Sequence, residues 1–136
     1  MPPGKSRNPR RRADVSLLLR LARALREQPL HGLAEGTTLH GSDVDAPVPF
    51  LEHGLHFEAD VLRGQKTGFF LDQRENRQRI RALAAGRDVL DAFCYTGGFT
   101  VAAVSGGATH VTAVDSSSDA LQIASENLAA NTLDPS

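Results

Sequence analysis

The chain has 136 residues, a formal net charge of −1 and 40% hydrophobic residues, enough for one buried core of ordinary size. Cys94 is the single cysteine, which excludes an internal disulfide and fits a reducing, cytoplasmic setting. No run of about eighteen apolar residues occurs, so no transmembrane span is expected.

The charge is unevenly spread. Lys5, Arg7, Arg10, Arg11, Arg12, Arg20, Arg23 and Arg26 face only Asp14 within residues 1–26. Residues 1–12 therefore predict a basic, disordered tail. Such an arm would also bind RNA phosphates by releasing condensed counterions. From Ala13 to Gln28, Leu17, Leu18, Leu21, Ala22 and Leu25 recur at helical spacing, which predicts an amphipathic helix ended by Pro29. The segment His31–Pro49 is punctuated by Gly32, Gly36, Gly41, Pro47 and Pro49 and predicts a linker. Residues 13–49 thus form a helix and linker, and 50–136 a separate domain.

In "LHFEADVL", Leu55, Phe57, Ala59 and Val61 alternate with His56, Glu58 and Asp60. That is a half-buried strand, paired through Gly54 with Phe50–Glu52 in a hairpin. Gly64–Gly68 predicts a turn. Its "GQKTG" lacks the glycine before lysine that a phosphate-binding loop requires. A charged helix follows over Leu71–Ala85, with Ile80, Leu83 and Ala84 apolar and Asp72 and Glu75 placed for a capping box. Then come a strand at Asp88–Phe93, a short helix at Gly98–Ser105, a strand at His110–Asp115 and a helix at Ser118–Asn131, with Ser116, Ser117 or Ser118 as N-cap. Strand, helix and strand make a βαβ unit with parallel strands, so the class is α/β. Two clear parallel strands are few for a doubly wound sheet. An incomplete sheet is expected, with self-association through its uncovered edges.

The stretch "DVLDAFCYTGGFT" delivers the chain past Asp91 to the carboxyl edge of the sheet, where open α/β sheets bind ligands. Gly97 and Gly98 permit close backbone approach, and the helix they begin presents unpaired amides. The next strand ends at Asp115, whose carboxylate can accept from both hydroxyls of a ribose. Together these argue for an adenosine-bearing cofactor. The G-x-G-x-x-G dinucleotide fingerprint is absent, which favours S-adenosylmethionine over NAD. Cys94 lies within this turn and reads as a small packed side chain. The five histidines show no metal-ligand spacing. In "FFLDQRENR", Arg74 could fork onto a carboxylate and Gln73 could read amino groups, or the segment could simply be a capped helix start.

"KTGFFLDQRENR", "VLDAFCYTGGFT", "GGATHVTAVDSSSDAL" and "ASENLAAN" occur in this order and together resemble the cytosine-5 ribosomal RNA methyltransferase family. The resemblance implies a Rossmann-like class I methyltransferase fold and S-adenosylmethionine as cofactor. It further implies that Phe69, Gln73 and Arg74 contact the cofactor and that Phe93, Tyr95, Thr96, Gly97 and Gly98 hold its amino-acid portion, with Asp91 at the strand end counted among the cofactor-binding residues. Asp115 would take the ribose, and Ser116 would lie beside the adenine. RNA, ribosomal by resemblance, would be the partner. The family's reaction uses a cysteine thiolate on C6 of cytosine and an Asp-Pro-Pro-type motif to position the base. The 136 residues contain neither, so no catalytic residue is assigned and these residues are expected to be inactive alone. Rival expectations are an RNA-binding or regulatory module and an NAD-linked oxidoreductase.

Overall fold

The computed structural model describes residues 15–21, 26 and 32–133, in two compact units, Met1–Asp45 and Ala46–Ser136. The basic tail over residues 1–12 lies outside the described residues.

In the first unit, strand β1 (Leu17–Leu18) pairs antiparallel with β2 (Thr38–His40). This corrects the helix expected over Ala13–Gln28 at Leu17 and Leu18, and the linker expected over His31–Pro49 at β2. The physical reason lies in where the backbone donors go. Leu19 donates to the Thr37 carbonyl and Gly36 to the Leu19 carbonyl, both at 2.9 Å. The Leu21 amide donates to the Glu35 carboxylate, on which Arg20 also closes at 2.8 Å. A helix would need those donors for local i−4 carbonyls, and non-local pairing overrides the periodicity.

The second unit opens with the expected hairpin, β3 (Val48–Glu52) against β4 (Leu55–Ala59), with Phe50 opposite Phe57 and Glu52 opposite Leu55. His53 and Gly54 between them have φ of 49° and 79°, the two left-handed residues of a tight hairpin turn. Phe57 points inward and meets Phe50 and Phe69 at ring-centroid distances of 5.7 and 5.1 Å. These rings join Ala59, Val101 and Leu128 in the core.

A 3-10 turn (Leu71–Gln73) leads into helix α1 (Arg74–Leu83). The expected capping box is absent: Asp72 falls in the 3-10 turn, and Gln73 is the N-cap without a side-chain cap bond. Leu83, expected as an apolar anchor, is 61% exposed. The buried residue of α1 is Arg77, 3% exposed. Its guanidinium forks onto Glu52 at 2.6 and 2.7 Å, donates to the Phe70 carbonyl at 3.0 Å and lies 4.4 Å from the Phe69 ring centroid. A buried arginine is tolerable only when its charge and donors are matched in this way.

Strands β5 (Asp88–Ala92) and β6 (His110–Val114) pair in parallel, Asp88 opposite His110 and Ala92 opposite Val114. Helix α2 (Gly98–Ser105) crosses between them and α3 (Ser118–Ala130) follows, N-capped by Ser117. Helix α2 packs against α1, α3 and both strands, and is buried almost all round, as its apolar "GFTVAAVS" requires. Val89, Asp91, Val111 and Ala113 are half-buried, whereas Leu90, Ala92, Thr112 and Val114 are exposed on the other face of the two-stranded sheet. No helix among the described residues is long and apolar enough to cross a membrane.

Candidate functional site

The turn between β5 and α2 is unusual in its backbone. Phe93, Tyr95 and Gly97 have φ of 63°, 51° and 76°, three left-handed residues in five, two of them not glycine. Each non-glycine costs on the order of 1–3 kcal/mol and persists only where surrounding structure enforces it. The enforcement is visible. Cys94 donates to the Val114 carbonyl at 3.0 Å, and Gly97 to the Cys94 carbonyl at 2.9 Å. A Cβ on Gly97 would stand 2.8 Å from the Ala124 methyl, and one on Gly98 3.2 Å from Arg77 Cδ. The two glycines therefore let α2 begin wedged between α3 and α1, its first amides facing the sheet's carboxyl edge.

Asp115 closes the opposite side. One carboxylate oxygen accepts from the Tyr95 amide and the other from the Ser117 amide, both at 2.9 Å. The Ser117 amide and then the Tyr95 amide hold its carboxyl below the ordinary carboxylate range. Expected as a ribose acceptor, Asp115 is thus also the tie between the two strand ends. The Ser116 amide bonds it as well, and of the about four acceptor sites of a carboxylate part remains for a hydroxyl. Asp91 behaves oppositely. It lies beneath the turn, accepts from the Thr100 hydroxyl at 2.6 Å, and is pushed up chiefly by burial.

Tyr95, Thr96 and Asp115 line a cavity of about 370 Å³ whose lining also includes Asp60, Arg63 and Gln65. The wall is built, since Asp60 accepts from the Leu62 and Arg63 amides and the Tyr95 hydroxyl accepts from the Gln65 amide at 2.8 Å. The Tyr95 ring meets Phe70 edge-on at 5.5 Å. A larger cavity of about 550 Å³ lies between α3 and β6, lined by Val104, Val111, Ala113, Leu121 and Leu128 among others. It contains none of the predicted site residues. Size alone does not make it the site, because the strained turn and convergent polar groups lie at the smaller one.

The remaining predicted residues scatter around this centre. Phe93 is 89% exposed and Ser116 is exposed. Thr96, Gly97 and Gly98 are buried, so the turn offers backbone more than side chain. Phe69 is 4% exposed and its ring belongs to the core, which corrects its expected position on the cofactor surface. It supports Gly98 from below, its ring carbons 3.3 and 3.4 Å from a Cβ built there. Gln73 accepts from Asn76, and Arg74 donates to His53 Nε2 at 3.2 Å, so both side chains are engaged along α1 and the hairpin turn. Sequence reasoning did not place Arg63 and Gln65 at this cavity and read Ser117 only as a candidate N-cap. It also missed Asn127, although the i, i+4 asparagines of "ASENLAAN" were a signal.

The residues fit an adenosine-bearing group: a carboxylate at the second strand end, a glycine turn a Cβ would block, and a helix that begins at that turn. A model of the S-adenosylmethionine-dependent methyltransferase family matches residues 33–135, and the chain belongs to that family. Its fold is the Rossmann-like α/β fold of these enzymes, and the family's cofactor is S-adenosylmethionine. Over 122 residues the chain is 48% identical to a ribosomal RNA large subunit methyltransferase of Deinococcus radiodurans, covering 89% of this chain and 30% of that protein. It is 45% identical to ribosomal RNA large subunit methyltransferase I of Serratia proteamaculans, over 82% of this chain and 28% of that one. Among solved structures, a protein of Streptococcus mutans described as a SAM-dependent methyltransferase superposes with a TM-score of 0.67 and 36% identity, over 72% of this chain and 26% of that one. Another methyltransferase, complexed with SAH, gives 0.66 and 37%, over 71% of this chain and 26% of that one. The chain thus spans under a third of the length of these curated relatives.

Proposed function

We propose that this chain is the S-adenosylmethionine-binding part of a ribosomal RNA cytosine-5 methyltransferase. The observation that carries the reading is the Tyr95–Gly98 turn tied by Asp115, at the carboxyl edge of two parallel strands. When bound, the cofactor supplies an activated methyl group. The chain's own residues bind and orient it. The amides of Gly98 and Phe99 at the start of α2 face the amino-acid carboxylate, where the helix dipole favours negative charge. Asp115 accepts from the ribose hydroxyls through its remaining lone pairs, and Ser116 lies beside the adenine. Phe93 covers the exposed edge, while Asp91 and Thr96 support the turn. Gln73 and Arg74 reach the cofactor by leaving their present partners.

The cytosine-5 chemistry rests on the motif resemblance and on relatives that act on large-subunit ribosomal RNA. A basic arm over residues 1–12 serves RNA contact, and the compact methyltransferase part runs over 50–136. A cytoplasmic setting follows from an RNA substrate. Exposed Leu90, Ala92 and Val114 on one sheet face, with the exposed Phe93 in the adjoining turn, favour self-association of the isolated 136 residues. These residues alone are not expected to transfer a methyl group.

Calorimetric titration with S-adenosylhomocysteine, with NAD as control, tests the reading. Binding of the first and not the second is expected, with Asp115→Ala weakening it at least tenfold, on the order of one to two lost charge-assisted hydrogen bonds. Equal binding of NAD, or no binding by a folded chain, rejects it. Incorporation of labelled methyl into ribosomal RNA by these 136 residues rejects the inactivity.

A further inference from the structure

We infer that Asn127 is a positioning residue for the cofactor turn, coupling its geometry to the β3–β4 hairpin; the inference rests on the cofactor reading above. Asn127 is 0% exposed, in the last turn of α3. A fully buried amide costs stability unless both its ends are matched. Here both are. Its nitrogen donates to the Thr96 carbonyl at 2.9 Å, and its oxygen accepts from the Glu58 amide of β4 at 2.9 Å.

The first bond has a local consequence. The peptide joining Thr96 to Gly97 is held at both ends, its carbonyl by Asn127 and its N–H by the Cys94 carbonyl at 2.9 Å. A peptide plane pinned at both ends cannot rotate, and its orientation sets where the next amides, Gly98 and Phe99, point as α2 begins. The second bond has a long-range consequence. One helical turn on, Asn131 accepts from the His56 amide at 2.8 Å and donates to the His56 carbonyl at 2.7 Å. The two asparagines therefore occupy the edge of β4 as a neighbouring strand would. Asn127 alone reaches past that edge to the turn. A shift of the hairpin must move Asn127 or break one of its bonds, so hairpin position and cofactor affinity are coupled.

Asn127→Asp tests this while keeping the side-chain shape. Protonated, the new carboxyl donates to the Thr96 carbonyl and accepts from the Glu58 amide; ionised, it can only accept. Burial favours the protonated form, so both bonds are restored at lower pH and one is lost as pH rises. The titratable groups on the elements packed against Asn127 are His56 and Glu58 of β4, Cys94 and Tyr95 of the turn, and Asp119 and Glu126 of α3; α2 carries none. They are common to parent and variant, so the affinity ratio isolates the new carboxyl.

S-adenosylhomocysteine affinity of the variant is expected within about threefold of the parent near pH 5 and at least about tenfold weaker near pH 8. Asn131→Ala removes the bonds to His56 and to the Asn127 carbonyl but leaves Asn127 holding Glu58 and Thr96, which keeps the hairpin in register beside the turn. It is expected to lower stability and leave the affinity of the folded protein within about threefold. A pH-independent ratio in folded Asn127→Asp, or an equal affinity loss in Asn131→Ala, overturns the inference. Should Asn127→Asp not fold, hydrogen exchange of the parent decides. S-adenosylhomocysteine should then slow exchange at the Glu58 amide together with the turn amides; protection confined to the turn overturns the coupling. A parent chain that binds no S-adenosylhomocysteine removes the cofactor reading and this inference with it. Parent binding with a flat pH ratio removes this inference alone.

Discussion

The two flanks of the Phe93–Gly98 turn are built on opposite principles. Below it, Arg77 is matched by Glu52 and the Phe70 carbonyl, Asn127 by Thr96 and Glu58, and Phe69 fills the space beneath Gly98. Above it, Phe93 and Ser116 are exposed, and Asp115 uses only part of its acceptor capacity. A left-handed backbone is costly, so it is held from the buried side while the open side is left for a ligand. The two acids repeat the contrast, Asp91 raised by burial and Asp115 lowered by amides.

Breaking the buried flank should have the largest effect. Arg77→Ala leaves the Glu52 carboxylate buried and uncompensated, and should cost about 3–5 kcal/mol in denaturant unfolding. A cost below about 1 kcal/mol would mean that water reaches the pair. Gly97→Ala adds a Cβ in left-handed backbone against Ala124 and should cost about 1–3 kcal/mol. It should also weaken S-adenosylhomocysteine binding, and unchanged binding would place the ligand elsewhere.

Asp115→Asn sharpens the contrast by pH. Because the folded carboxyl lies below its ordinary value of 3.8, its contribution is present above that pH and fades as pH falls through the folded value. The variant should lose that part of the acid limb of the stability profile; an unchanged acid limb contradicts the tie. Asp91 has the reverse sign. Its folded value lies above 3.8, so its favourable contribution is present at low pH and is lost as pH rises through the folded value. Asp91→Asn should therefore be neutral or stabilising near pH 7 relative to pH 4. On the open flank, Phe93→Ser should change stability by no more than about 0.5 kcal/mol, with any effect appearing in ligand affinity.

The Ala46–Ser136 unit was legible in its elements. Alternation in "LHFEADVL", the glycine pair after "DVLDAF" and the apolar "FTVAAV" each specify local geometry through period, φ and burial. The turn and Asp115, both expected at the carboxyl edge of the strands, do meet there. The site was not legible in partners. Nothing in "RENRQRI" says that Arg77, not Leu83, turns inward, because the deciding group is Glu52, twenty-five residues away. Phe69 reads equally well as pocket wall or core until Phe50 and Phe57 come to meet it.

What the sequence by itself determined is therefore what a short window encodes: the hairpin, the βαβ order, the glycine pair of the turn and the acid at the second strand end. The tertiary structure decided which polar groups are buried and matched, which are left open, and that Leu17 and Leu18 pair as a strand despite their helical spacing. Those outcomes rest on hydrogen-bond partners and packed rings distant in the chain. Their free energy exists only once both sides have met, and it outweighs the tenths of a kcal/mol per residue on the order of which local propensity differs.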